Sequence, residues 1–481
     1  MYSIIKRKLL FFITLGFFLL TIYTLNLGIS KSPKIVFGVI LTLPIYMLGP
    51  FLFLKKLREN KRLLLIDFFK VAIFFTIVLQ FMFHVINLDF FEKKIYTDSF
   101  IVNLENSPFV LSLVLITFIC LHIPYLFFYK IKNKEAKLSY TVVNFWLPLN
   151  LLLISSIISL FFLVSQFSGY GSSIYYTENI YSLVKSVQNI INPVCFGLLS
   201  YIFLNPLQQN SNYFKRMFYF IFIIQILTGL TSGMKEFVII PVIIYLYFYL
   251  YFNHKIQKKY ILILITFGLL LYPITNNYRT LINNNFDDKI SNNDLLLFAI
   301  SNTFKSNDII SNIQDGLENY SSRTDLYTYL NEAIKKENQW TYYKNMNRYF
   351  TIPFFPFVPR VFWKDKYRYD GGNMFYDEIL VNRETNNSVS VSCIGWAYLE
   401  GGIHYLILIF LIIGFIFQFL DKMTNFSLKM KLLWITSFVI VIKPEWDPFF
   451  TIINIIQSYI FLSIFFYYIK QKNNVSFIQK T

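Results

Sequence analysis

Apolar runs of about twenty residues recur along this chain, and at 1.5 Å of rise per residue such a run makes a helix of about 30 Å, the thickness of a bilayer's hydrocarbon core. They lie near Leu9 to Ile29, Ile35 to Leu54, Leu63 to Ile86, Pro108 to Tyr129, Val142 to Ser165, Asn189 to Leu204, Met217 to Thr231, Phe237 to Phe252, Tyr260 to Thr275, His404 to Leu420, Leu432 to Ile442 and Phe449 to Tyr468. A soluble chain cannot bury so much: 55% of the 481 residues are hydrophobic, 20% aromatic and only 15% charged. The sequence predicts an all-α polytopic membrane protein of about twelve transmembrane helices.

The formal net charge of +17 would suggest nucleic acid in a soluble protein. Here it reports sidedness instead, and no nucleic-acid partner is expected. With Lys6, Arg7 and Lys8 placed in the cytoplasm, every second connection is basic: Lys55 to Arg62, Lys130 to Lys137, Lys215 and Arg216, Lys255 to Lys259, Lys422 to Lys431, and Lys470 to Lys480. That side holds about 23 Lys and Arg against about six in the other short loops, as the positive-inside rule demands. Both termini are therefore expected in the cytoplasm, with the first run a retained signal anchor. The Leu432 to Ile442 run is short, is followed by the polar turn Lys443 to Pro448, and fits either a span or a re-entrant segment.

One connection is far longer than the rest. Residues 277–401 follow a nine-helix region, 1–276, and precede the C-terminal helices, 402–481; their position predicts a non-cytoplasmic loop domain. Within it, Leu295 to Leu317 and Asp325 to Lys336 carry apolar residues at helical spacing.

Metal and nucleotide chemistry find no foothold. Of three cysteines, Cys120 and Cys195 fall in spans and only Cys393 lies on the outer side. His84, His122, His254 and His404 show no ligand spacing, and neither a Walker lysine loop nor G-x-G-x-x-G occurs. No cofactor and no metal is expected.

The densest unusual stretch runs from Thr351 to Asn373. Prolines 353, 356 and 359 stiffen it and present Arg360 among Phe and Trp. Guanidinium groups held this way bind phosphate bidentately and aromatics offer faces to sugars; an amphipathic segment with Trp363 and Tyr367 at lipid headgroup level fits the composition equally. Lys235 and Glu236 fill a tight hairpin between two runs, where they pair with each other or with lipid, or serve a function. Arg279 follows the ninth run by about one turn, at the same depth as Lys235; convergence of Lys235, Arg279 and Arg360 on one diphosphate, three cations in place of a metal, is an expectation from depth and not from spacing. Asp67 and Lys70, at i and i+3, can neutralise each other. Glu400 and His404, at i and i+4 around Gly401 and Gly402, are acid or base candidates or a plain helix start.

These residues carry a likeness. The layout, the Ser-Gly-x-Lys-Glu turn at 232–236, Pro-Arg-x-x-Trp at 359–363, the run from Ser392 to Gly402, and Arg360 with Gly371 after ten intervening residues resemble bacterial Wzy-type O-antigen and capsule repeat-unit polymerases. The resemblance implies a metal-independent glycosyltransferase of the bacterial inner membrane, with undecaprenyl-diphosphate-linked glycan as donor and acceptor and with a flippase and a chain-length regulator as partners. It implies that Arg360, Arg279, Lys235 and Arg368 hold the diphosphate, that Trp363 and Tyr367 face the glycan, and that Glu400 or His404 takes the acceptor proton. An O-antigen ligase has similar topology but typically carries a loop histidine, which residues 276–402 lack. A flippase or other transporter places charges near the midplane, whereas these sit at the boundaries.

Overall fold

The structure is a computed structural model and describes residues 2–59, 61–86, 104–128, 146–164, 178–206, 212–231, 235–252, 325–340, 375–381, 390–424 and 427–473, with the isolated positions 274, 278, 281, 298 and 301. All regular structure among these residues is helical. We number the principal helices α1 (Tyr2–Lys31), α2 (Pro33–Arg58), α3 (Leu65–Ile86), α4 (Ser107–Phe128), α5 (Trp146–Val164), α6 (Glu178–Leu204), α7 (Asn212–Thr231), α8 (Lys235–Tyr251), α9 (Leu326–Lys335), α10 (Ser392–Met423), α11 (Leu428–Val441) and α12 (Pro448–Asn473).

Six of them contain segments long and apolar enough to cross a membrane: Leu10–Ile29, Pro33–Arg58, Leu65–Ile86, Leu104–Phe127, Ser392–Met423 and Pro448–Tyr468. Three shorter apolar segments, Trp146–Ile158, Ile191–Leu204 and Val238–Tyr249, fall in α5, α6 and α8. The expected runs at 217–231 and 432–442 are present as α7 and α11, while 260–275 lies outside the described residues. Large apolar side chains such as Phe11, Phe12, Phe75 and Phe127 are exposed along these helices, as hydrocarbon-facing positions require.

Local chemistry sets the helix starts. Ser32 Oγ accepts from the Ile35 amide (3.3 Å) with Pro33 in the first turn of α2. Ser427 Oγ accepts from the Met430 amide (3.2 Å) to begin α11, and Asp447 Oδ1 from the Phe449 amide (2.8 Å) to begin α12. Within α2 and α3 one turn widens to π geometry, at Met47–Phe51 and Phe74–Val78.

α10 packs along α4. Gly414 permits the approach, since a Cβ there would stand 3.0 Å from the Leu121 carbonyl oxygen and 3.1 Å from its Cα. α10 is broken at Gly401 and Gly402; Gly402 has φ 65° and ψ −158°, open only to glycine without strain. Its first part, Ser392 to Glu400, is buried at Ser392 to Ala397, and Cys393 is enclosed there. α11 is short, about 21 Å from its 14 residues, and the turn after it docks on that first part. The Pro444 carbonyl accepts from the Cys393 amide (2.7 Å) and the Glu445 carbonyl from Trp396 Nε1 (3.3 Å).

The basic end of the bundle is tied by Asp421 of α10. Fully buried, it accepts from Tyr125 Oη of α4 (2.5 Å), Trp434 Nε1 of α11 (2.6 Å) and the Leu65 amide at the start of α3 (3.2 Å). Arg62 bonds Thr424 beside it. The i, i+3 pairing expected of Asp67 and Lys70 does not form. Asp67 turns back to the α3 N-terminus, accepting from the Leu64 amide (2.9 Å) and pairing with Lys56 (2.7 Å). Lys70 Nζ instead lies 3.4 Å from His122 Nδ1 and 5.5 Å from the centre of the Phe118 ring. The helix dipole favours this choice, because a carboxylate in the first turn meets the unpaired amides there.

Asp421→Ala would orphan three buried donors and lower stability by about 3–5 kcal/mol, with Asp421→Asn costing less; thermal unfolding of the detergent-solubilised chain measures both. Gly402→Ala should cost about 1–3 kcal/mol in the same assay, with no clash to blame since nothing lies within 4 Å of the added carbon.

Candidate functional site

At the end of the bundle opposite Asp421, a helix from the long connection is sunk among the membrane helices. The pattern from Asp325 to Lys336 predicts it, and α9 follows with Asp325 as its N-cap and Lys336 as its C-cap. It packs against α3, α4 and α10, and Asp325 to Ala333 are all buried. Leu326, Leu330 and Ala333 supply an ordinary apolar face. The other positions are unusual for a site enclosed by membrane helices: Asp325, Thr328 and Glu332 form a polar stripe at helical spacing, each at most 4% exposed.

The stripe is anchored at its first residue. Asp325 Oδ1 accepts from the Thr328 amide (3.2 Å); Oδ2 accepts from Thr328 Oγ1 (2.6 Å) and lies 2.7 Å from His84 Nε2 of α3. Thr328 Oγ1 is itself 3.1 Å from His84 Nε2. A single carboxylate thus caps α9 and fastens it to α3. Tyr327, beside this clamp, sets its ring 5.9 Å from that of His84 and 5.3 Å from that of Phe81. Burial, reinforced by the nearby Asp325 charge, pushes the Tyr327 phenol far above its ordinary range, so it stays a neutral hydroxyl.

Tyr327 Oη and Glu332 Oε2 of α9 are enclosed with no hydrogen-bond partner among the described residues, as are Ser107 Oγ, Thr117 Oγ1 and Ser200 Oγ elsewhere in the bundle. The other Glu332 oxygen is 3.9 Å from Lys335 Nζ, whose side chain is half exposed. Beyond α9 the chain stays pinned. Lys336 Nζ donates to the Ile379 carbonyl (2.6 Å) and Tyr398 Oη of α10 donates to Glu337 (2.5 Å). Trp340, Phe375 and Trp396 cluster with ring centres 6.0–6.2 Å apart.

Of the residues singled out from sequence, Arg279, Arg360, Trp363, Tyr367 and Arg368 lie outside the described residues. Lys235 is the first residue of α8. Glu400 ends the first part of α10, half-buried, and His404 is exposed two residues beyond the break. Because the break at Gly401 and Gly402 falls between them, no continuous helix brings these two onto one face. The clamp and the enclosed groups of α9 were not among the sequence candidates. Their signal was present, in the 325, 328, 332 spacing of polar residues and in a histidine at the far end of a span.

Comparison with known proteins places most of this architecture in one group. Residues 150–476 match the profile of a family described as a domain of unknown function, DUF8712. The chain belongs to that family. No curated protein and no solved structure matches significantly. The DUF8712 region holds α9, α10 and α11, hence Asp325, Glu332 and Asp421, whereas His84, Tyr125 and Leu65 precede it. Both buried carboxylate networks therefore cross the DUF8712 boundary and are completed by α3 and α4.

Asp325→Ala removes the cap and the α3 fastening together, leaving His84 and Thr328 without their acceptor. We expect a loss of about 2–4 kcal/mol and faster amide hydrogen exchange in α9 than in α10 or α11, as read by mass spectrometry of the full chain.

Proposed function

We propose that this chain is a membrane-embedded glycosyltransferase that polymerises undecaprenyl-diphosphate-linked repeat units of O-antigen or capsule type at the non-cytoplasmic face of the bacterial inner membrane. The observation that carries the reading is the seating of α9: the long connection lowers a polar stripe into the bundle at the end away from Lys56, Arg62 and Asp421. A reaction between two lipid-anchored glycans needs such a place, dry and polar, beside helices whose outer faces meet lipid. The twelve-span plan with both termini in the cytoplasm, read from the basic connections, puts that end outside.

In this scheme an acceptor hydroxyl attacks the anomeric carbon of the donor. The anomeric carbon–oxygen bond breaks, its electron pair departs on undecaprenyl diphosphate, and the hydroxyl proton passes to a base, with Glu400 and His404 the sequence-derived candidates. Arg360, Arg279, Lys235 and Arg368 meet the departing negative charge, and no metal is required. Trp363 and Tyr367 offer faces to the glycan. A flippase supplies the lipid-linked unit from the cytoplasmic side, and a chain-length regulator sets the product.

Gene deletion and restoration in the native host tests this, with surface and carrier-linked glycan resolved by gel ladder and lipid extraction. The expected result is loss of the ladder while single units still reach their acceptor. Polymer stranded on the carrier would overturn the reading in favour of a ligase, and single units trapped in the cytoplasmic leaflet in favour of a flippase. Arg360→Ala and Arg279→Ala should each cut polymer amount by about tenfold or more at normal protein level; an unchanged ladder in both removes the diphosphate assignment.

A further inference from the structure

A charge carried into an apolar bundle is costly unless an opposite charge meets it, and such residues almost always pair. Lys70 does not. It is the sixth residue of α3, in a segment long enough to cross a membrane, and is 2% exposed. Among the described residues no carboxylate lies within ion-pair distance of its Nζ. Asp67, one turn back, gives both oxygens to Lys56 (2.8 and 2.7 Å). Lys70 Nζ instead meets a second basic group, His122 Nδ1 of α4, at 3.4 Å, with the centre of the Phe118 ring 5.5 Å away.

This contact limits how many protons the pair can hold. An ammonium only donates, so His122 Nδ1 accepts through its lone pair and the imidazole is neutral, its own proton on Nε2. A second proton would set two like charges 3.4 Å apart. With the shared proton lost, an amine and an imidazole remain and no charge is enclosed. The pair therefore holds one proton or none. Water solvates an ammonium and this place does not, so the proton-bound state favours opening of α3 from α4 and the proton-free state favours closure. A proton needs no cavity to enter, and Lys56, 26% exposed, leads with Asp67 from the basic end of the bundle to one turn before Lys70. Both widened turns are close by. One begins at Phe74, four residues after Lys70; the other, Met47–Phe51, contains Gly49, where an added Cβ would stand 3.5 Å from Lys70 Cβ. Turns of this kind recur at functional sites.

We infer that Lys70 and His122 form a proton-binding site within the bundle, which loosens α3 from α4 when the proton is bound and lets them close when it leaves. The charged and titratable groups around it are Lys56 of α2, Asp67 of α3, Tyr125 of α4, whose ring centre is 6.5 Å from that of His122, and beyond that phenol Asp421 of α10. The site lies at the end of the bundle opposite α9 and stands independently of the transferase reading.

Two substitutions fix the charge and bracket the wild type: Lys70→Arg keeps it at every pH, and Lys70→Met removes it. The full chain in detergent is followed by amide hydrogen exchange and mass spectrometry between about pH 6 and about pH 10, where amines change charge. Protection is taken relative to the unfolded chain at the same pH. Around Lys70 the wild type should match Lys70→Arg at the acid end, gain about tenfold or more in protection as pH rises, and reach Lys70→Met at the alkaline end. Lys70→Met retains Lys56, Asp67, Tyr125 and Asp421 and should show no such rise. A wild type level with Lys70→Arg throughout never releases its proton, and one level with Lys70→Met throughout never takes one; either result overturns the site. Should Lys70→Arg fail to fold, a wild type whose pH dependence equals that of Lys70→Met overturns it alone. His122→Phe takes away the acceptor and should move the rise to lower pH; a rise left unmoved removes His122 from the site and overturns the shared proton.

Discussion

Hydrocarbon offers no hydrogen bonds, so every polar group carried into the bundle must find its partner within the chain. That constraint organises this molecule more than any apolar contact does, because apolar side chains gain little by leaving lipid for protein. Its clearest consequence is Asp421, whose oxygens collect a phenol, an indole and a backbone amide from three other parts of the chain. Those donors fix where α4, α11 and the start of α3 stand relative to α10. Close packing of the kind Gly414 allows then fills in around a geometry the carboxylate has already set.

The same constraint acts at both ends of the bundle. At the basic end Asp67 serves both the α3 N-terminus and Lys56, and Asp421 is enclosed by donors. At the other end Asp325 is as fully engaged as Asp421, yet two residues and seven residues further on the chain holds a hydroxyl and a carboxylate oxygen with no partner among the described residues. Satisfied polar networks make a rigid frame, and unsatisfied ones are stable only where that frame forces them.

Much of this was legible in the sequence, and the part that was not has a physical reason. Helix positions were readable because apolar runs and their period are local properties; even α9, inside the long connection, was visible in the spacing from Asp325 to Lys336. Partner choice was not. Asp67 and Lys70 are adjacent on any helix, but the free amides at the α3 start and the reach of Lys56 from α2 compete for the same carboxylate, and sequence spacing does not show which wins. Glu400 and His404 show a related limit of spacing, since i, i+4 implies one face only if the helix is continuous, and Gly402 ends that continuity. His84 and Asp325 are 241 positions apart, so their meeting depends on how α9 docks, which no local pattern encodes.

The boundary of the DUF8712 region sharpens the point about partners. The family region contributes the acceptors Asp325 and Asp421, and the helices before residue 150 contribute His84, Tyr125 and the Leu65 amide. Residues 150–476 taken by themselves would carry two buried carboxylates with part of their donors missing, a state that costs several kcal/mol for each. α3 and α4 are therefore as much a part of the working unit as α9 and α10. Because His84 of α3 meets both Asp325 and Thr328, and Phe81 meets Tyr327, a change in how α3 sits is transmitted to α9. That coupling ties the geometry of the site to the packing of the first four helices.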